Sequence, residues 1–560
     1  MIPEPRARFL GRRGFLKWST LALGLAAAAP VLQACGAAAP TATPAAGAAA
    51  PKPSDKPAEK PAAPTNTPAA AAKPTEPSAP AAKPAATKPA DSAKPGPAQG
   101  APGTPAAKPA APAPQPTEPP ASEAVRKVVG DLPKPKSSAK ITGKFTVIQH
   151  QDFHPDHNSF VRLSLEEWAK ANSWPLDISY TAGFTGGGDL NQKLVAMVQA
   201  GTSPDLLFHD VGVRQLFFLE VVEDVTKLAE EMQAKFGKTG PGYVRSTQFE
   251  GKWWGVPFYT RTGGYYLRTD WFKDAGLDPE KDTETYNKLR ETALKLSDPD
   301  KKKWGWGMTV NRSGDGESMV QNLIHAHGGR LQDKSGQVVT LNSPETIAGM
   351  EWLKETYTDQ KWAKALPPGV NAWNDISNNE AFLAGTIGIT QNAGTMLAKA
   401  YFDKVPHAES ILFVETPKSL DGKGPRLSSG AGDRFHILKG SKNREAAEDT
   451  IRFMLTDEYQ KTIWSISKAY ALPAYAKGWE DPIVKNFPNS IRFKPIYDNE
   501  DWWGLATPGP LSAAVDAVGV SNMYTDAMGE ILKGKPVKQV AEEMHKRAVR
   551  IFKEFGLKGE

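Results

Sequence analysis

From residue 144 onward, apolar positions fall into short runs rich in β-formers, alternating with longer stretches where they recur every three or four residues. KFTVIQ (residues 144–149) predicts a strand, NSFVRLSLEEWAKAN places Phe160, Leu163 and Trp168 on one helical face, and LDISY predicts a second strand. Asp189, with Gln192 three positions on, predicts the start of a helix carrying Leu190, Leu194, Met197 and Val198 inward. Gly201 ends that helix and Pro204 leads into the strand DLLFH. The same grammar returns later. Ser343-Pro344 opens a helix bearing Ile347, Met350, Leu353 and Tyr357, TIGITQ is a strand running into NAGTM, and Asn443 caps a helix with Ala447, Ile451, Met454 and Leu455 inward. Residues 511–555 are mainly helical, and no repeat of fixed period is visible. Strands alternating with helices imply an α/β fold with a largely parallel sheet, whose ligands collect at the strand carboxyl ends.

Upstream the pattern breaks off. Residues 41–120 are about one quarter proline, the rest mostly Ala, Lys, Thr and Gly, with no aromatic residue and no aliphatic side chain larger than alanine besides proline. Such a tract has nothing to build a core from. Proline-rich chain favours extended polyproline II, so ~100 residues reach at most ~300 Å. The reading is a disordered Pro/Ala/Lys-rich tether over residues 36–139, with a cell-wall-interacting segment as the alternative, and a folded part over residues 140–560 large enough for two lobes. Residues 1–35 read as a signal peptide: a charged start, an apolar run from Trp18 to Val31 shorter than a membrane span, then small residues. Arg12 and Arg13, followed by Gly-Phe-Leu-Lys, resemble the twin-arginine export signal, and Leu32-Gln33-Ala34-Cys35 resembles a bacterial lipobox. Cys35 is the single cysteine, which excludes intrachain disulfides and cysteine-rich metal sites and points to a lipid anchor.

The net charge of +6 adds little. Five cations against Glu4 give residues 1–40 a charge of +4, and eight lysines against five acids give residues 41–120 a charge of +3, so residues 121–560 carry about −1. The basic balance belongs to leader and tether, and no nucleic-acid partner is expected.

Six motifs in order then carry a resemblance: LNQKLVAMVQAGTSPDLLF, GKWWGVPFY, YYLRTDWFKDAGLDP, HGGRLQDKSGQVVTLNSPE, AFLAGTIGITQNAG and SKNREAAEDTIRFMLTDEYQ. Together they resemble the bacterial extracellular solute-binding proteins of ABC importers, family 1, the group that includes maltose-binding proteins, across nearly all of residues 142–552. The resemblance implies a two-lobed periplasmic-binding-protein-like fold with an interlobe cleft and a hinge. It also implies a small-molecule solute, a sugar or oligosaccharide, delivered to ABC permease subunits by a monomer at the outer face of the cytoplasmic membrane. No cofactor and no covalent chemistry are implied. The segments expected to touch ligand, such as HQDFHPDH, depart from the family pattern.

Sugar clefts combine aromatic faces with charged or amide groups that bind hydroxyls. The expected ligand-binding residues follow the strands: His150, Asp152 and His154 after the first, His209 and Asp210 after DLLF, Tyr259, Thr260 and Arg261 after the Pro257 turn, and Asn392 and Gly394 after TIGITQ. NAWND adds Trp373 and Asn374, and NEDWWG adds Trp502 and Trp503. The aromatic run over residues 251–272 divides into a turn with Trp254 packed beneath the hinge, a cleft edge at residues 259–261, a crossing strand at residues 265–267, and Trp271 and Phe272 seating a helix. Rival readings are a metal site from His150, Asp152, His154, Asp156 and His157, and a secreted glycoside hydrolase built on a carboxylate pair such as Glu500 and Asp501. A binding protein for another solute, such as a peptide or metal complex, is a third. No Gly-x-Ser-x-Gly elbow, His-Glu-x-x-His helix or phosphate-binding Gly-x-x-x-x-Gly-Lys loop is present.

Overall fold

The computed structural model describes residues 121–560 other than 183–187, 262, 421, 423–426, 429, 469 and 502–503. The export signal at Arg12 and Arg13, the lipobox Cys35 and the pair Trp502 and Trp503 lie outside the described residues. Only elements used below are labelled.

Two mixed sheets organise the chain. The first contains β1 (Phe145–Gln151), β2 (Leu176–Ala182), β3 (Leu206–His209), β4 (Val256–Arg261), and two strands that return late in the chain, residues 431–437 and 472–473. The second contains β5 (Gly263–Arg268), β6 (Trp304–Trp306), β7 (Ile387–Ala393) and β8 (Ile411–Val414). With β9 (Ala431–Ile437) and β10 (Leu472–Pro473) the orders are β10-β4-β9-β3-β1-β2 and β8-β5-β7-β6. β1 pairs in parallel with β2 and β3, but β9 is antiparallel to β3 and β4, and β10 to β4. The sheet is therefore only half parallel. The βα grammar governs its first three strands, whereas β4, β9 and β10 enter from later segments and need no right-handed crossover.

The chain leaves the first sheet at Arg261 and enters the second at Gly263, and it goes back between β8 and β9. These crossings make two lobes. Alternation along the strands serves two faces: Val147, Leu206 and Phe208 join the core that holds Phe160, Trp168 and Phe435, while Ile148 and Leu207 join a smaller cluster with Leu194 and Leu216. In the second lobe Tyr265, Leu267 and Ile389 face a core completed by C-terminal helices, among them Val537–Glu554.

Helix starts follow the expected chemistry in part. Ser343 accepts from the N–H of Thr346 at 3.2 Å and Pro344 occupies the first turn of helix Pro344–Thr358. Asn443 stands at its helix start but its side chain makes no cap. Its Nδ2 donates instead to the carbonyls of Thr142 and Lys144 and to Asp205. Asp205 also accepts from the N–H of Thr146 at 2.9 Å and from Ser441, so the Gly-x-x-Pro-Asp acid ties β1, β3 and the helix after β9 together.

The boundary of the folded part moves. Residues 121–139, read from composition as tether, form helix α1 (Glu123–Asp131), capped by Ser122, followed by a segment in contact with the first lobe. Val125 and Val129 are 2% exposed and Leu132 is buried. Ser122 donates to Asp156, and the N–H of Ser137 to Asn172. The sequence reading weighted the proline-rich stretch upstream and overlooked the four-residue spacing of these valines. No helix among the described residues is long and apolar enough to cross a membrane.

Candidate functional site

A cavity of about 90 Å³ lies between the lobes. The first lobe contributes Asp152 and Phe153, just past β1, and Arg261 at the end of β4. The second contributes Asp315 from the first turn of α2 (Gly314–Ala326), Asp375, Ile376 and Asn379 from the start of α3 (Asp375–Leu383), Asn392 and Ala393 from the end of β7, and Thr395. Strand carboxyl ends and helix amino ends converge from both sides.

The first-lobe wall is a chain of ion pairs running inward. The Arg261 guanidinium donates to Asp152 Oδ2 at 2.7 Å and to Asp210, and lies 3.6 Å from Asp433 Oδ1. Tyr470 donates to the same Asp152 oxygen at 2.8 Å. Asp433, fully buried, accepts from His150 Nδ1 at 2.8 Å and from the Tyr259 hydroxyl at 2.7 Å. Gly432 permits the close approach of β9 to β4, because a Cβ there would lie 2.3 Å from the Tyr259 carbonyl oxygen. Burial opposes charge on both His150 and Asp433, yet mutual attraction wins. The His150 pKa is raised and the Asp433 carboxyl is held below its usual range, with Arg261 helping the latter. His209 stacks on His150 with centroids 4.4 Å apart, and burial followed by the His150 charge lowers its pKa. His209 Nδ1 lies 3.1 Å from the Val211 nitrogen and 2.9 Å from Asp210 Oδ1, and its Nε2 is buried without a hydrogen-bond partner among the described residues.

The second-lobe wall is different in kind. Asp315 Oδ2 accepts from Asn378 Nδ2 at 2.9 Å and from Asn392 Nδ2 at 3.2 Å, and Asp375 accepts from the N–H groups of Gly314 and Asp315 at 3.0 and 2.9 Å. Neither carboxylate has a cationic partner among the described residues. Burial raises the pKa of both; at Asp315 the Asp375 charge adds to it, and at both the charge of Asp152 across the cavity adds to it. Asn392 also donates to Asn379 Oδ1.

Of the expected residues, Asp152, Arg261 and Asn392 line the cavity. Asp210 pairs with Arg261, while His150, bonded to Asp433, and His209, stacked on His150, stand behind it. Tyr259 does not form a cleft edge: it is 1% exposed, and its hydroxyl points to Asp433. Thr260 is buried with its hydroxyl on the Pro473 carbonyl, because alternate residues of β4 face opposite sides and only the strand end emerges. His154 is buried against Phe402 and the Ile466 carbonyl, with its pKa lowered by burial to about 4. Trp373 packs between the two main cores and Asn374 caps α3 through the N–H groups of Ile376 and Ser377. Gly394 lies between two lining residues without lining the cavity itself. Trp254 packs on Phe217 and Phe249, while Trp271 and Phe272 seat their helix in the second-lobe core. Asp315, Asp375 and Asn379 were missed. Polar residues at two helix starts, SGDG and NDISNN, were the available signal, and each reads equally well as capping alone.

The loop histidines do not converge on a metal. His157 bonds Ser467 and Tyr259, and His154 turns to a backbone carbonyl. His150, His209 and Asp210 do bring one ligand atom each within 4.8 Å of one another, but Arg261 already supplies the cation that Asp210 faces. A larger hollow of about 280 Å³ lies within the first lobe between Trp464, Leu472 and Ile483, where Lys468 is the one ionisable lining residue among the described residues. Ser465, Asn486 and Ser490 also line it, but all its lining residues come from one lobe, whereas both lobes build the smaller site.

Two α/β lobes joined by crossing strands, with a polar cavity between them, define a two-lobed periplasmic-binding-protein-like fold. Residues 165–461, more than half of the chain, match the bacterial extracellular solute-binding protein family, and the chain belongs to that family. It is similar to the maltotriose-binding protein of Pyrococcus abyssi, 23% identical over 307 residues, which are 54% of this chain and 61% of that protein. It is also similar to the sn-glycerol-3-phosphate-binding periplasmic protein of Escherichia coli K12, 27% identical over 183 residues, 30% of this chain and 40% of that one. The chain thus spans about three fifths or less of these two relatives' lengths. Among solved structures, maltose-bound T. maritima MalE3 superposes with a TM-score of 0.61 at 21% identity, covering 72% of this chain and 98% of that one.

Proposed function

We propose that the protein is the extracytoplasmic receptor of an ABC importer, capturing a sugar or oligosaccharide between its lobes and delivering it to the permease. The observation that carries this reading is the cavity itself, to which both lobes contribute polar side chains. Carboxylates and amides accept and donate to hydroxyls, and Phe153 and Ile376 offer apolar surface to a sugar's C–H face. The family and the relatives named for maltotriose and maltose support the same ligand class. At about 90 Å³ the cavity is smaller than the ~300 Å³ of ordinary small-molecule pockets, so entry of an oligosaccharide requires the lobes to separate about their crossing segments.

The chain acts without covalent chemistry, as a monomer whose lobe rims meet the permease subunits. Export through Arg12 and Arg13, lipid attachment at Cys35 and a long tether place the lobes at the outer face of the membrane. Incubation with mixed oligosaccharides tests the class. Unaltered sugar that raises the melting temperature is expected, whereas released hydrolysis products would assign the carboxylates to a glycosidase. For the anchor, Cys35→Ala releases the protein from membranes; continued membrane association would remove the lipobox assignment.

A further inference from the structure

We infer that the bound sugar carries a free, protonated amine, which lies against Asp315 and Asp375. This rests on the receptor reading above and narrows its solute. The cavity's walls differ in charge balance. Arg261, the one cation among the described lining residues, is already shared by Asp152, Asp210 and Asp433 in its own lobe. It has no charge left over for the facing wall. There, Asp315 and Asp375 are met by two amides and two backbone N–H groups and by no cation among the described residues.

A second observation marks this wall as ligand-facing. Asn379 and Asn392 are each 3% exposed and line the cavity. One hydrogen bond joins their side-chain amides, from Asn392 Nδ2 to Asn379 Oδ1, and it leaves Asn379 Nδ2 and Asn392 Oδ1 without hydrogen-bond partners among the described residues. A donor and an acceptor therefore stand open beside two uncompensated carboxylates.

A hydroxyl can satisfy the amides, but it brings no counter-charge, so Asp315 and Asp375, whose pKa values burial raises, can then be neutralised only by taking up a proton. A phosphate ester adds repulsion, which separates this site from a glycerol-phosphate receptor. An ammonium group donates up to three charge-assisted hydrogen bonds and neutralises the wall, while the sugar's hydroxyls meet Asn379 and Asn392.

Titration calorimetry at neutral pH tests the inference with glucosamine, galactosamine and the β-1,4-linked glucosamine disaccharide. Each is paired with its N-acetylated form and with glucose, galactose or cellobiose. Expected is binding of an amine form at least roughly tenfold tighter than its two neutral counterparts. Asp315→Asn and Asp375→Asn should each shrink that preference, and Asn379→Ala should weaken amine and neutral forms alike. Thermal melts of each variant separate loss of fold from loss of preference, and two independent carboxylate variants keep the test open if one fails to fold. Neutral sugars binding as tightly as their amines would overturn the cationic solute and leave the sugar receptor standing. Absence of binding by every sugar in the panel would overturn both.

Discussion

Replacing Tyr259 by phenylalanine removes one hydroxyl from the interior of the first lobe and nothing from the cavity wall. That hydroxyl donates to Asp433 Oδ2 at 2.7 Å and meets His157 Nε2 at 3.2 Å, in surroundings where Tyr259 is 1% and Asp433 0% exposed. A hydrogen bond to a charged group contributes about 1.5–3 kcal/mol. His150 continues to donate to the same oxygen, so the loss falls near the middle of that range, about 2 kcal/mol. With an unfolding entropy of about 2.1 cal/mol/K per residue over roughly 440 residues, this lowers Tm by about 2 °C. Differential scanning fluorimetry resolves such a shift. Because Tyr259 stands behind Arg261 rather than beside the solute, Kd should change less than about threefold. An unchanged Tm together with a tenfold or greater rise in Kd would refute the reasoning and return Tyr259 to the cleft.

Other outcomes follow from the same geometry. Asn379→Ala removes an open amide donor and should raise the sugar's Kd roughly fivefold, about 1 kcal/mol, with melting temperature nearly unaltered; calorimetry and a melt decide it. His150 gains its partner Asp433 on folding and its pKa is raised, so its contribution is complete below the unfolded value of 6.5 and disappears as pH rises through the folded value. The stability difference between wild type and His150→Gln, from urea titrations, should therefore be largest at and below pH 6.5 and shrink above it. A chain beginning at residue 140 loses the buried faces of Val125, Val129 and Leu132, on the order of 5 kcal/mol. It should melt about 5 °C below a chain beginning at residue 121.

The lobes were legible because their signals are local. Period-two and period-three-to-four patterns around Phe145, Trp168, Leu194 and Met350 report which face is buried, and the ordered motifs report how the faces assemble. The Gly-x-x-Pro-Asp acid is an instance: Asp205 sits in the sequence pattern and joins three elements in the structure. The site was half legible. Strand-end reasoning located Asp152, Arg261 and Asn392, because a residue at or just past a strand end has few places to point. It could not tell which residues before the strand end face inward, hence the errors at Tyr259 and Thr260. It also passed over Asp315, Asp375 and Asn379, because a polar residue at a helix start has a local purpose in capping that hides a second one. Asp375 does both: it begins α3 and accepts the two N–H groups opening α2, while facing the cavity. The opposing lobe makes it a site residue, and that lobe's Asp152 lies more than 200 positions away from Asp375 in sequence.

Capture between the lobes is tested most directly by hydrogen–deuterium exchange, with and without the sugar that most raises Tm. Expected is simultaneous protection of the segment after β1 at residues 151–153, the start of α3 at residues 375–379, and the end of β7 at residues 391–393. Protection confined to one lobe, or appearing instead around Trp464 and Ile483, would contradict it.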